Sequence, residues 1–223
     1  MCDRYVLPDQ LAAEREFLPT QAWWKFTAKF NVAAQQYVPA IRVHDGQAEG
    51  MMMRWGLIPS WAEGKPAPEP THCVDLDRLD NSHIYRMPWL GSQRCILPAS
   101  GFYEWQLTRA NYRQPYFVHL VKRSVIGLAA IWDRSVGEDD DVIESCSVIR
   151  VPANGLLAEI ANSDGRMPAI LRRRDYQTWL RGTPVQAKAA LQPYNPALMQ
   201  AYAVSPRINS REPDDVGLIH PVP

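Results

Sequence analysis

Net charge is missing from this 223-residue chain: 24 lysines and arginines offset 24 aspartates and glutamates. A global basic field is therefore not what brings it to a partner, although a groove's worth of local charge suffices to bind nucleic acid. Cysteine is scarce, with Cys2, Cys73, Cys95 and Cys146 widely spaced and no CxxC pair among them. The five histidines form no ligand cluster with these cysteines. That spacing supports neither a zinc site nor a disulfide framework, so no metal or cofactor is expected. A reducing cytosol is the simpler setting. No apolar run reaches the roughly 18 residues of a membrane span, and no signal-peptide pattern opens the chain. A soluble cytoplasmic protein with no membrane partner is expected. No internal repeat and no sharp composition boundary divide residues 1–223, so a single domain and a monomer are expected.

What is present is material for a core. Hydrophobic residues make up 46% of the chain and aromatic ones 10%, which argues against global disorder. Asp9–Phe17 reads as a short helix after Pro8. Tyr37–His44 and Met51–Trp55 read as strands around the turn Asp45-Gly46. Gly64–Thr71 is a proline-rich loop. Arg94–Leu97, Gly101–Leu107, Pro115–Val121, Ser124–Asp133 and Val142–Val151 read as strands, and Ala201–Ser205 as a last one. Helices are predicted from Pro152 to about Ala161, over Arg174–Arg181 and over Pro184–Leu191. Trp23, Trp24, Phe26 and Phe30 crowd a stretch of core or groove wall. The fold class is α+β: antiparallel strands in twisted sheets forming a pseudo-barrel, with short peripheral helices.

Cys2 carries the most chemistry. Removal of Met1 would leave a free α-amine and a thiol on one residue, a 1,2-aminothiol. Such a group condenses with an aldehyde to a Schiff base, which the thiol closes to a five-membered thiazolidine. An α-amine near pKa 7.7–8.0 keeps a useful neutral fraction at pH 7, and a thiol near about 8.5 supplies a few per cent thiolate. With Met1 retained the nitrogen is an amide and cannot condense.

Five segments stand out together along the chain: Met1-Cys2-Asp3-Arg4-Tyr5; Phe30-Asn31-Val32-Ala33; Arg54-Trp55-Gly56-Leu57-Ile58-Pro59-Ser60-Trp61; Arg94-Cys95-Ile96-Leu97-Pro98-Ala99-Ser100-Gly101-Phe102-Tyr103-Glu104-Trp105; and Arg166-Met167-Pro168-Ala169-Ile170-Leu171. Together they resemble the SRAP (SOS response-associated peptidase) family over essentially the whole chain, the fourth being the most specific. The resemblance implies a protein of the DNA-damage response that binds single-stranded DNA at abasic sites. Its N-terminal cysteine would crosslink to the ring-opened deoxyribose and shield the lesion, with nucleoid association when bound.

The resemblance also implies residue roles. Cys2 matches the nucleophile. Asn31 matches an asparagine that hydrogen-bonds the sugar or ring. Glu104 matches a glutamate that shuttles protons, and it should alternate away from Tyr103 and Trp105 on a strand. Arg4, Arg78, Arg86 and Arg166 match phosphate contacts, for which a planar guanidinium fork is suited. Trp55 matches an aromatic stacked on a base at the lesion edge, and Met167 a wedge beside it. Trp61 and Trp105 read as core. On residue type alone, Asn31 also reads as a turn former, Glu104 as an exposed strand residue and each arginine as a surface ion-pair partner.

Three positions depart from the family pattern. Asp3 stands where glycine is usual, adding bulk and negative charge. Ala161 stands where a histidine precedes Arg-Met-Pro, and none of His44, His72, His83, His119 or His220 has a claim from sequence to replace it. Leu76–Asp80 keeps Arg78 but loses an asparagine. These departures leave two alternatives to covalent capture open: a non-catalytic single-stranded DNA-binding relative, and a self-processing thiol peptidase.

Overall fold

The computed structural model describes residues 3–222; Met1 and the predicted nucleophile Cys2 lie outside the described residues. The strands are β1 (Arg4–Leu7), β2 (Gln21–Ala22), β3 (Lys29–Ala33), β4 (Tyr37–His44), β5 (Gln47–Trp55), β6 (Cys73–Asp75), β7 (Arg94–Ala99), β8 (Gly101–Leu107), β9 (Arg113–Leu120), β10 (Ile126–Val136), β11 (Val142–Pro152), β12 (Arg166–Pro168), β13 (Ile170–Leu171) and β14 (Met199–Ala203). Short helices α1 (Gln10–Phe17), α2 (Arg86–Leu90), α3 (Gly155–Ile160), α4 (Tyr176–Arg181) and α5 (Pro184–Ala190) sit among them.

One sheet closes on itself. β4 pairs with β5 and β7, β7 with β10, and β10 with β11, all antiparallel; β11 then pairs with β5 in parallel, Cys146 against Trp55. The expected pseudo-barrel is thus present, but its seam is parallel rather than antiparallel. β6 also runs parallel to β11, and β2 parallel to β5. The reason is topological: five strands cannot alternate in direction all the way round a closed ring, so one neighbouring pair must run parallel. A second sheet, ordered β14-β9-β8-β1-β3, packs beside the barrel. The main core lies between and inside these layers.

Local chemistry explains several boundaries. Asp45 and Gly46 both adopt positive φ (47° and 76°), the pairing required by a two-residue hairpin of the primed type, so β5 starts at Gln47 directly opposite His44. The predicted helix from Pro152 begins later, because Pro152 still pairs with Arg166 in the sheet and the Asn154 side chain caps the helix by accepting from the Leu157 N–H at 2.9 Å. Thr183 and Gln186 form a reciprocal capping box ahead of α5, with Pro184 at its first position.

Two sequence motifs turn out to be architectural. Gly56, at φ 131°, takes the chain out of β5, and a side chain there would meet the Arg54 guanidinium at 2.9 Å. The loop that follows is pinned by Ile58 N–H to Ser145 Oγ (2.7 Å), Ser60 N–H to Asp133 Oδ2 (2.8 Å) and Gly64 N–H to Ser135 Oγ (2.9 Å). Arg94, which opens the most specific motif, is buried between Trp89 and Trp179, its guanidinium carbon 5.9 and 5.7 Å from their ring centres. It donates to the carbonyls of Trp179 and Gly182 and so fastens α4 and its exit to the barrel.

Candidate functional site

The start of β1 opens onto a cleft of about 520 Å³, whose lining includes Asp3, Arg4, His72, Trp105, Arg113 and Arg211. β1 lies between β3 and β8, with Arg4 opposite Ala33 and Tyr5 opposite Phe102. A smaller hollow of about 240 Å³, walled by the proline-rich loop and Arg54, shares Ala34, Gln35, Pro70 and His72 with this cleft. The two make one groove with His72 on the divide. Asp3, joined to Cys2 by one peptide bond, lies in its floor.

Three arginines converge there from distant parts of the sequence. Arg4 comes from β1, Arg113 from β9, and Arg211 from the segment after β14. Burial, then repulsion from Arg211, lowers the pKa of Arg4, so an anion between the two would relieve both costs. Asn31 holds this arrangement. Its Oδ1 accepts from Arg4 Nη1 at 3.0 Å, while its Nδ2 donates to the carbonyls of Ser210 (2.9 Å) and Pro213 (2.7 Å). The Asp214 carboxylate accepts from the N–H groups of Phe30 and Asn31 at 2.6 and 3.0 Å. Both amide protons of Asn31 are thereby engaged, so it positions Arg4 and the Arg211 segment instead of reaching toward a sugar.

Glu104 lies on β8, 1% exposed, opposite Tyr116 of β9. Strand alternation puts it on the other face from Trp105, which lines the cleft and donates from its indole N–H to Asn209 Oδ1 at 2.8 Å. Trp105 is therefore a cleft wall, not the core residue expected.

Asp3 and His72 form the most distinctive contact, with His72 Nε2 to Asp3 Oδ1 at 2.7 Å. Burial disfavours charge on both. The shared hydrogen bond and the attraction between opposite charges together outweigh it, holding the Asp3 carboxyl below its ordinary range and keeping the His72 imidazolium charged above its own. The His72 carbonyl accepts from the Trp55 indole (2.8 Å) and the Val148 N–H (2.9 Å), which fixes the backbone that carries the ring.

The other predicted residues are placed elsewhere. Trp55 is 2% exposed, edge-on to Tyr5 at 5.3 Å, so it offers no face for a base; it supports His72 from within the core. Met167 is 0% exposed on β12 and wedges nothing outside the protein. Trp61, expected in the core, is 56% exposed and tilted against His83. Arg166 pairs with Asp77 at 3.2 Å, and Arg78 contacts Glu69 at 3.4 Å, so these two motif fragments meet each other rather than the cleft. Arg86 is exposed at the start of α2, and it does not line the cleft. Arg113 and Arg211 had no motif to announce them. His72 had one indirect signal, the unusual acid at position 3.

Comparison with known proteins adds the family. The family profile described as SOS response associated peptidase (SRAP) matches residues 1–211. The chain belongs to the SRAP family. The abasic site processing protein YoqW of Bacillus subtilis is 29% identical over 215 residues, covering 95% of this chain and 90% of its own. The abasic site processing protein HMCES of Pongo abelii is 29% identical over 238 residues, covering 89% of this chain and 66% of its own. A crystal structure of a protein from Bacteroides thetaiotaomicron superposes with a TM-score of 0.87 at 23% identity, over 99% of this chain and all of that one, which places the fold among solved structures. In this SRAP chain Ala161, the departure noted above, is a buried methyl at the C-terminal cap of α3, its N–H bonded to the Leu157 carbonyl at 2.7 Å. Among the described residues no cluster of three or more His, Cys, Asp or Glu side chains is arranged to hold a metal, and no helix is long and apolar enough to cross a membrane.

Proposed function

We propose that this protein captures abasic sites in single-stranded DNA, forming a thiazolidine between the Cys2 aminothiol and the ring-opened deoxyribose once Met1 is removed. The observation that carries this reading is the cleft at the start of β1, where Arg4, Arg113 and Arg211 surround Asp3, the residue next to Cys2. Three guanidinium groups suit phosphates on either side of a lesion. Trp105 supplies an aromatic wall for an unpaired base. An abasic deoxyribose is a masked aldehyde, the electrophile a 1,2-aminothiol traps most readily. The relatives named as abasic site processing proteins support the same reading. The product would shield the lesion in the cytoplasm or on the nucleoid during the DNA-damage response.

The test is incubation of Met1-processed protein with a uracil-excised oligonucleotide, followed by a denaturing gel. The parent chain should give a shifted band and Cys2→Ala none. A band that persists in Cys2→Ala would reject the covalent mechanism. The buried methyl of Ala161 favours one second reading, a relative that binds single-stranded DNA without bond formation. That reading requires equal affinity for the parent chain and Cys2→Ala, with no covalent product from either.

A further inference from the structure

We propose that His72, oriented by Asp3, is the acid–base residue of this cleft and protonates the hydroxyl that leaves as water when the Schiff base forms. The assignment rests on the function proposed above and names a proton carrier for it. Four observations support it. His72 lines both hollows of the groove. Its Nε2 is bound to the Asp3 carboxylate at 2.7 Å, which fixes the tautomer with hydrogen on Nε2. Its Nδ1, which makes no hydrogen bond among the described residues, is then the atom that gains and gives the proton. Its Asp3 partner is covalently next to the nucleophile, so the proton carrier and the amine share one anchor.

The step balances as follows. The abasic sugar is a cyclic hemiacetal; opening breaks C1′–O4′, with O4′ gaining a proton and the C1′ hydroxyl losing one as the carbonyl forms. Addition of the Cys2 amine gives a carbinolamine. The His72 imidazolium gives its Nδ1 proton to the carbinolamine hydroxyl, the C–O bond breaks, water leaves, and the nitrogen lone pair forms C=N. The nitrogen's proton returns to Nδ1. Sulfur then adds to that carbon while the nitrogen takes up the thiol's proton. The sum is aldehyde plus aminothiol giving thiazolidine plus water.

The charged groups around His72 set the direction of its pH response. Asp3 and Cys73 favour the imidazolium and Arg150 on β11 opposes it, while Arg4, Arg113 and Arg211 stand on the cleft wall. The donating form is lost as pH rises through the raised imidazole pKa, and the attacking amine is lost as pH falls. The crosslinking rate of the parent chain should therefore be bell-shaped.

The experiment measures single-turnover crosslinking against pH for the Met1-processed parent, His72→Gln and Asp3→Asn, with folding checked by thermal melting. His72→Gln keeps the backbone carbonyl that holds Trp55 and Val148. It should slow the reaction by about 10²-fold, the low end for a lost general acid, and abolish the alkaline fall in rate. Asp3→Asn should keep that fall but move it to lower pH. A folded His72→Gln variant with the parent's rate and profile overturns this assignment and leaves the proposed function standing. Absence of any crosslink from the parent chain overturns both.

Discussion

At the scale of single residues, the site depends on side chains whose partners leave them one orientation. Asn31 shows this: three hydrogen bonds from one amide fix Arg4 and the segment bearing Arg211. The arginines themselves act by charge, so their loss should show in salt dependence more than in folding. Arg113→Ala or Arg211→Ala should each lower the slope of log affinity against log salt by about 0.7 for single-stranded DNA, measured by fluorescence anisotropy. Arg86→Ala, exposed away from the cleft, should leave the slope unchanged. The sequence could not separate these cases. Arg78 and Arg166 sit in motifs yet contact Glu69 and Asp77, while Arg113 and Arg211 sit in none and meet only through the fold. The burial of Trp55 was illegible for a related reason: a motif does not say whether its residues face solvent.

At the scale of elements, strand composition was the most legible signal. β4 and β8 were read with the bounds they have from their apolar and aromatic residues, although each buries a continuous run, Val38–Arg42 and Gly101–Glu104, rather than every second residue. β1 and β3 were missed. The four residues of β1 are too few to show a period, and the wall they form is completed only by pairing with β8. On its other side β8 lies close against β9 at Gly101. A methyl group there would lie 2.5 Å from both the Phe117 ring and the Val118 carbonyl oxygen. Gly101→Ala should therefore force β8 and β9 apart and destabilise the protein by about 1–3 kcal/mol, the range for overpacking a filled core. Urea unfolding would read the loss. Crosslinking should weaken as well, because Glu104 and Trp105 ride on the displaced strand.

At the scale of the whole molecule, the cleft joins distant parts of the chain. One wall is β1 at the beginning of the fold; another is the segment around Arg211, attached through contacts 179 to 184 residues apart in sequence. Contacts of such separation form slowly, since the loop-closure cost comes before the gain. Asp214 is the clasp, accepting from two backbone N–H groups of β3. Asp214→Ala should hand those donors to water, cost about 0.5–1.5 kcal/mol, and slow crosslinking beyond what that destabilisation explains, as compared by melting and single-turnover rates. The α+β class and barrel were legible from the strand pattern. The parallel seam between β5 and β11 was not, because nothing in a strand's own residues says which partner lies beyond its neighbour in sequence.

The clasp from Asp214 to β3 has a consequence during synthesis. On the proposed function, the end that would bear the aminothiol is made well before Arg211. On that reading, a copy cut before Arg211 would carry the reactive end without the channel that selects its target, open to any small aldehyde. Selectivity would then arrive only once the Asp214 clasp has closed on β3.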